Sequence, residues 1–331
     1  MQNNNLKKTK FKFIDLFAGI GGFHQALKAF NTECVFASEI DKYARQTYSA
    51  NHHITDNFFN EDIRLISPSE IPNHDILCGG FPCQAFSIAG NRKGFEDVRG
   101  TLFFDIIKIL QAKKPQAFLL ENVKNLLSHD KGQTFKVMLD ILENKLGYHI
   151  HYQVLNAKDF GLPQNRARIY IVGFKDYTLF NFPNPLNIKI KLGDILEKDV
   201  EEKYTISDKL WLGHQLRKEK HKINGNGFGY SIFDENSSYT STISARYYKD
   251  GSEILIKQEN KNPRKITPRE AARLQGFSDN FIIPVSDVQA YKQFGNSIAV
   301  PVVKNILQNI INSLDNDYSF EYSDYKNLIN Y

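Results

Sequence analysis

Between residues 11 and 174 short apolar runs alternate with amphipathic segments, and this alternation limits the chain to very few folds. Phe11 to Phe17, Cys34 to Ser38, Asp75 to Cys78, Ala117 to Leu120, Ile150 to Leu155 and Ile169 to Phe174 read as strands. Gly22 to Phe30, Lys42 to Ser49, Leu102 to Gln111 and Phe135 to Leu146 carry helical spacing between them. Strands separated by crossover helices pair in parallel, so the pattern predicts an α/β, doubly wound, mainly parallel sheet with helices on both faces. The pattern changes after Phe174. Asn181-Phe182-Pro183-Asn184-Pro185 is a linker, and the chain beyond it is polar and rich in Gly, Asn, Ser and Tyr. Short alternating strands and loops, rather than helices, are expected there, forming a second, smaller, mainly β domain over residues 186–282. Val300 to Leu314 returns to helical spacing. The larger domain would then comprise residues 11–185 and 290–331, with a tail at 1–10 and a hinge at 283–289.

The segment that follows the third of these strands is the richest in chemistry. Gly80-Phe81-Pro82-Cys83-Gln84 places a thiol directly after a proline. Pro82 fixes its own φ and biases Phe81 toward extended geometry, so the strand ends in a stiff turn at the edge where open α/β sheets bind ligands. Cys83 is open to three readings: a buried inert thiol, a metal ligand, or a nucleophile whose thiolate attacks. Cys34 and Cys78 lie within apolar runs and read as packing residues. Three cysteines without Cys-x-x-Cys spacing suggest neither a disulfide framework nor a metal site, and no metal is expected.

Asp15-Leu16-Phe17-Ala18-Gly19-Ile20-Gly21-Gly22 follows the first strand and opens a helix. Glycines let backbone approach a ligand, and a helix N-terminus is electropositive. No Gly-Lys-Ser/Thr follows, which favours an adenosyl ligand over a triphosphate. Glu39, after the second strand, either accepts from ribose hydroxyls or caps the next helix. Glu121, at the end of Ala117 to Leu120, either retains a proton near neutrality as a general acid or caps a helix. Arg166 and Arg168 of Gln164-Asn165-Arg166-Ala167-Arg168 face one side of an extended segment; one can reach a site while the other braces it, or both are surface residues.

Charge is uneven. Lys203 to Arg273 holds 14 Lys and Arg against 8 Asp and Glu, a surplus of +6, so the rest of the chain carries −1 of the total +5. A basic segment beside a near-neutral one suits a polyanion, although a solvated basic face explains it equally. No apolar run reaches the length of a membrane span and the N-terminal residues lack the apolar core of a signal peptide, so cytoplasmic residence is expected.

Six motifs together resemble the DNA cytosine-5 methyltransferases, over nearly the whole chain. Ile14 to Phe23 is similar to the family's cofactor loop, Phe81 to Ser87 to its nucleophile motif, and Glu121-Asn122-Val123 to its Glu-Asn-Val motif. Gln164 to Arg168 is similar to its Gln-x-Arg-x-Arg motif. Arg269 to Phe277 and Gln293-Phe294-Gly295-Asn296-Ser297 are similar to its two C-terminal motifs. The nearest likeness is to small single-chain restriction-modification enzymes. The resemblance implies a Rossmann-like domain that binds S-adenosyl-L-methionine and acts on a flipped-out cytosine of double-stranded DNA. It implies Cys83, Glu121, Arg166 and Arg168 as catalytic residues. It implies a cofactor site of Asp15, Phe17, Gly19, Gly21, Gly22, Glu39, Ile40, Asp62, Ile63, Pro82, Leu102, Asn296 and Ser297. In that site Phe17 would stack on adenine, Glu39 hold the ribose and Asp62 the exocyclic amine. Glu61 departs from the glycine usual before Asp62-Ile63.

Residues 186–282 would be the target-recognition domain, and Ile88 to Arg99 a loop that closes over the base. Ser87, Arg99, Thr242, Arg246, Tyr247 and Lys249 are the candidate DNA contacts. Asn226 to Tyr230 and Thr242 to Leu255 are similar to recognition domains for CCWGG or CCNGG sites. A monomer is expected, functionally linked to a restriction endonuclease. Two rivals remain: a tRNA cytosine-5 methyltransferase, which would lack so long a recognition domain, and a non-catalytic regulator, which would have lost Cys83, Glu121 or Arg168.

Overall fold

The computed structural model describes residues 11–54, 58–82, 102–227 and 229–315. The 1–10 tail, Cys83, Ser87, Arg99 and the 88–99 loop lie outside the described residues. Seven strands form one sheet: β1 (Phe11–Leu16), β2 (Thr32–Ser38), β3 (Phe59–Asn60), β4 (Ile76–Gly80), β5 (Ala117–Val123), β6 (His149–Asn156) and β7 (Ala167–Phe174). Their order is β3-β2-β1-β4-β5-β7-β6. The pairs β1–β2, β1–β4, β2–β3 and β4–β5 are parallel, and β7 runs antiparallel to both of its neighbours.

Period-2 alternation sorts the side chains of these strands to two apolar faces. Phe11, Phe13, Cys78, Leu119 and Val172 belong to one buried cluster together with Phe23 and Leu27 of α1 (Gly22–Leu27). Val302, Val303, Ile306 and Leu307 of α8 (Val300–Asp315) complete that face. Ile14, Leu16, Leu77, Phe118, Leu120 and Ile171 face the other way, onto α3 (Leu102–Lys113) and α4 (Gln133–Asp140). Among the described residues the last helix, α8, thus packs beside the first, α1. α2 (Lys42–Asn51) begins where Asp41 caps it, its carboxylate accepting from the Tyr43 and Ala44 N–H groups. Two helices differ from expectation at their ends: α1 stops at Leu27, and α4 gives way at Ile141–Lys145 to a π turn.

The segment after the linker is not mainly β, which corrects the sequence-based expectation. Its strands β8 (Ile232–Phe233), β9 (Leu255–Ile256) and β10 (Arg264–Lys265) are two residues each, in one small sheet. Its largest element is the 16-residue helix α5 (Asp208–Ile223). Ser207 caps α5 by accepting from the Leu210 N–H, and Lys220, His221 and Lys222 meet the C-terminal dipole. Only His214 of α5 is buried, so the helix has no apolar stripe to betray it in sequence.

α6 (Pro268–Leu274) and α7 (Asp287–Asn296) follow. Ile243, Tyr247, Ile254 and Ile266 share one core with Phe277, Tyr291 and Phe294, so the small segment is continuous with the sheet domain. Tyr247 is fully buried; its hydroxyl donates to the Ile254 carbonyl (2.6 Å) and accepts from the Ile266 N–H (2.9 Å). It is therefore a core residue, not the surface DNA contact expected. No helix of the described residues is long and apolar enough to cross a membrane.

Candidate active site

Strand register brings the chemistry-bearing residues to one edge of the sheet. Leu16 lies beside Ser38 and Gly79, and Gly80 lies beside Glu121. Because β7 is antiparallel, its N-terminal end meets the carboxyl ends of the others: Val123 pairs with Arg168. Glu121 pairs with Tyr170, which makes Arg168 its diagonal neighbour. Arg168 Nε lies 3.2 Å from Glu121 Oε1. Burial pushes the Glu121 pKa above the usual carboxyl range, and the nearby Arg168 and Arg166 charges offset only part of that. Asn122 braces the neighbouring turn, its Nδ2 donating to the Phe81 carbonyl (2.9 Å). The turn Phe81-Pro82 is thereby fixed beside Glu121.

This edge opens into a cavity of about 570 Å³. Phe17, Gly19, Gly22, Glu39, Ile40, Asp62, Ile63, Pro82, Leu102, Asn296 and Ser297 all line it, and so do Glu121, Arg166 and Arg168. Phe17 adopts a left-handed backbone (φ 55°), a costly state for a bulky residue that places the ring at the wall. Gly19 (φ 56°) has no atom within 4 Å of where a Cβ would sit, so its backbone is open to a ligand. Glu39 accepts from the Gly19 and Asp41 N–H groups, both at 2.8 Å. It lines the cavity, whereas the cap of α2 is Asp41, so Glu39 supports the cap residue rather than capping the helix.

Two expected wall residues are not on the wall. Asp15 is fully buried beneath the loop, and Gly21 backs onto the His52 ring, 2.4 Å from where its Cβ would be. Burial drives the Asp15 pKa well above the ordinary value. His24, stacked 4.3 Å from His52, is pushed down to about 3 and His52 to about 2, so both rings are neutral. Arg166 lines the cavity and is also anchored to backbone. Its buried guanidinium donates to the carbonyls of Ile243 (3.3 Å), Gly295 (3.2 Å) and Ser297 (2.6 Å). It braces the wall while Arg168 reaches Glu121.

Glu61 has a partner here. Arg45 Nη2 donates to its carboxylate (2.7 Å), and Arg45 Nη1 to the carbonyls of Glu39 and Ile40 (both 2.9 Å). One guanidinium thus ties together the loops after β2 and β3. Asp62 is held by a two-toothed contact from Arg64. Arg246 and Lys249 are exposed on the turn after β8, whereas the Thr242 hydroxyl turns inward and donates to the Asn165 carbonyl (2.6 Å). Sequence reasoning missed Gln289 and Lys292, which line the cavity from α7 beside Gln293 of the C-terminal motif. Their spacing from Asn296 on one helix face is the signal that could have found them.

A glycine-lined cavity, a carboxyl group held beside an arginine and the Phe81-Pro82 segment now stand together. The C-5 cytosine-specific DNA methylase family matches residues 11–312. The chain belongs to this family. The methylase is 60% identical over 323 residues to the Type II methyltransferase M1.ScrFI of Lactococcus lactis subsp. cremoris, covering 94% of this chain and 80% of that one. It is 61% identical over 303 residues to the Type II methyltransferase M.NlaX of Neisseria lactamica (90% and 95% covered). It is 45% identical over 337 residues to the Type II methyltransferase M.HpaII of Haemophilus parainfluenzae (96% and 93%). In fold it matches the crystal structure of the S. pombe Dnmt2 methyltransferase with a TM-score of 0.74, covering 92% of this chain and 100% of that one at 22% identity. The methylase is a DNA (cytosine-5-)-methyltransferase that uses S-adenosyl-L-methionine. The open Gly19 backbone, the Phe17 ring and the Glu39 carboxylate form a cavity that fits that cofactor.

Proposed function

We propose that the methylase modifies a cytosine within a short palindrome containing CC, of the CCNGG or CCWGG type. It acts as a cytoplasmic monomer and protects DNA from a restriction endonuclease that need not bind it. The support for the site is the likeness of Asn226 to Tyr230 and Thr242 to Leu255 to such recognition domains. Single-chain action is supported by the gathering of the motif residues around one cavity.

The bound cofactor supplies an electrophilic methyl group on sulfur. The chain's own residues make cytosine able to take it. Phe17, Glu39, Ile40, Asp62 and Ile63 hold the nucleoside half, and Pro82, Leu102, Asn296 and Ser297 the remainder. The target base leaves the helix stack to enter the cavity. The Cys83 thiolate adds to C6 while Glu121 gives its proton to N3 and Arg168 contacts the ring carbonyl. C5, now enamine-like, takes the methyl group. Loss of the C5 proton, cleavage of the S–C6 bond and return of the N3 proton to Glu121 restore the ring and the enzyme. Ser87, Arg99, Arg246 and Lys249 contact the DNA.

The observation that carries this scheme is the Glu121–Arg168 pair beside the Phe81-Pro82 turn, at the mouth of the glycine-lined cavity. A duplex with 5-fluorocytosine at the target of a CCAGG site tests it, because fluorine cannot leave as the proton does. With cofactor present, a covalent adduct mapping to Cys83 is expected, and Cys83→Ser should form none. Methylation by Cys83→Ser at near the parent rate would overturn the assignment. Bisulfite sequencing of DNA from expressing cells reads the site directly.

A further inference from the structure

Lys292 lies on the cavity-lining face of α7, between Gln289 and Gln293. Its ammonium sits 5.2 Å from the centroid of the Tyr248 ring. Tyr248 belongs to the turn that exposes Arg246 on one side and Lys249 on the other, closed by the Lys249 N–H to Arg246 carbonyl bond (2.9 Å). Among the described residues no carboxylate comes within ion-pair distance of Lys292. The acidic groups of the same turn are already engaged: Asp250 pairs with Arg217 (2.9 Å), and Glu253 accepts from the Ser244 hydroxyl. Lys265, over the Tyr291 ring at 5.7 Å, adds a further positive charge against this turn.

An ammonium fixed by an aromatic face and left without a counter-ion is ready for an anionic oxygen. Its position joins the exposed basic turn to the mouth of the cavity. We propose that Lys292 contacts a backbone phosphate of the DNA strand whose base occupies the cavity, so that the sheet domain itself contributes to holding that strand. The contact is to phosphate, so it positions the duplex without reading sequence. The cofactor also carries an anionic group, its carboxylate, and the test separates the two sources.

The experiment is equilibrium binding of the full chain to a short duplex carrying a CCAGG site and to one lacking it, over a series of salt concentrations. Lys292→Gln should weaken binding to both and make the slope of log K against log salt shallower by about 0.9, the value for one phosphate contact. Lys292→Arg should restore the slope, which a merely structural role for the side chain would not require. Calorimetry should give both variants the parent affinity for S-adenosyl-L-methionine. An unchanged salt slope in Lys292→Gln overturns the proposal. So does a loss of cofactor affinity with the slope intact, which would assign the ammonium to the carboxylate. Parent binding reports on the methyltransferase itself, and only the difference between variants reports on Lys292.

Discussion

Glu121 shows how a single residue acquires its chemistry from position. The sequence places it at a strand end; the antiparallel β7 then delivers Arg168 to within 3.2 Å of it. Desolvation outweighs the arginine, and the carboxyl pKa rises. A general acid with a raised pKa is active while protonated, so its contribution is present at low pH and is lost as pH rises through the folded value. Glu121→Gln should lower kcat by roughly 10²–10⁴-fold and remove that basic limb from the kcat profile, with cofactor affinity unchanged by calorimetry. Retention of the limb in the variant would assign it to another group. Asp15 carries the opposite lesson. Its place in the glycine-loop motif suggested a ligand contact, but both carboxylate oxygens are buried without a hydrogen-bond partner among the described residues. Sequence spacing could not distinguish the wall of the cavity from the layer beneath it.

At the scale of elements, the Gln-Phe-Gly-Asn-Ser sequence at the end of α7 is a junction between the segment that carries Ile243 and Ser244 and the cavity wall. Gln164 Oε1 accepts from the Ile243 N–H (3.1 Å), and Arg166 spans Ile243, Gly295 and Ser297. A Cβ on Gly295 would lie 2.3 Å from the Ser244 carbonyl carbon and 2.4 Å from the Ala245 nitrogen. These are backbone atoms, which cannot swing aside. Gly295→Ala should therefore lower stability by about 1–3 kcal/mol, the usual range for overpacking, and raise the KM for DNA several-fold. Thermal unfolding and steady-state kinetics read the two effects. Parent-like values in both would show that the segment does not rest on this junction. The helix α5 was invisible at this scale because its stability comes from caps and dipole contacts rather than a buried stripe. The strands were legible because two-sided burial writes long apolar runs into the sequence.

For the molecule as a whole, the division of labour follows the core rather than the linker. The segment expected to read DNA begins at residue 186, but α6 sits within the sheet domain's packing: Gln275 donates to the Phe294 carbonyl (2.6 Å) and accepts from the Val300 N–H (2.9 Å). We expect exchange of residues 186–267 with those of a relative of different specificity to move the methylated site, read by bisulfite sequencing, while activity persists. An active chimera that keeps the original target would refute this division. The alternating α/β architecture, the candidate chemistry-bearing residues and their order along the chain were legible in the amino-acid sequence, because apolar period and residue type are local properties. It took long-range packing to bury Tyr247 and Asp15, to engage the Arg166 guanidinium with three distant backbone carbonyls and to bring Lys292 over the Tyr248 ring. Those outcomes depend on which distant segments pack together, and no local period records that.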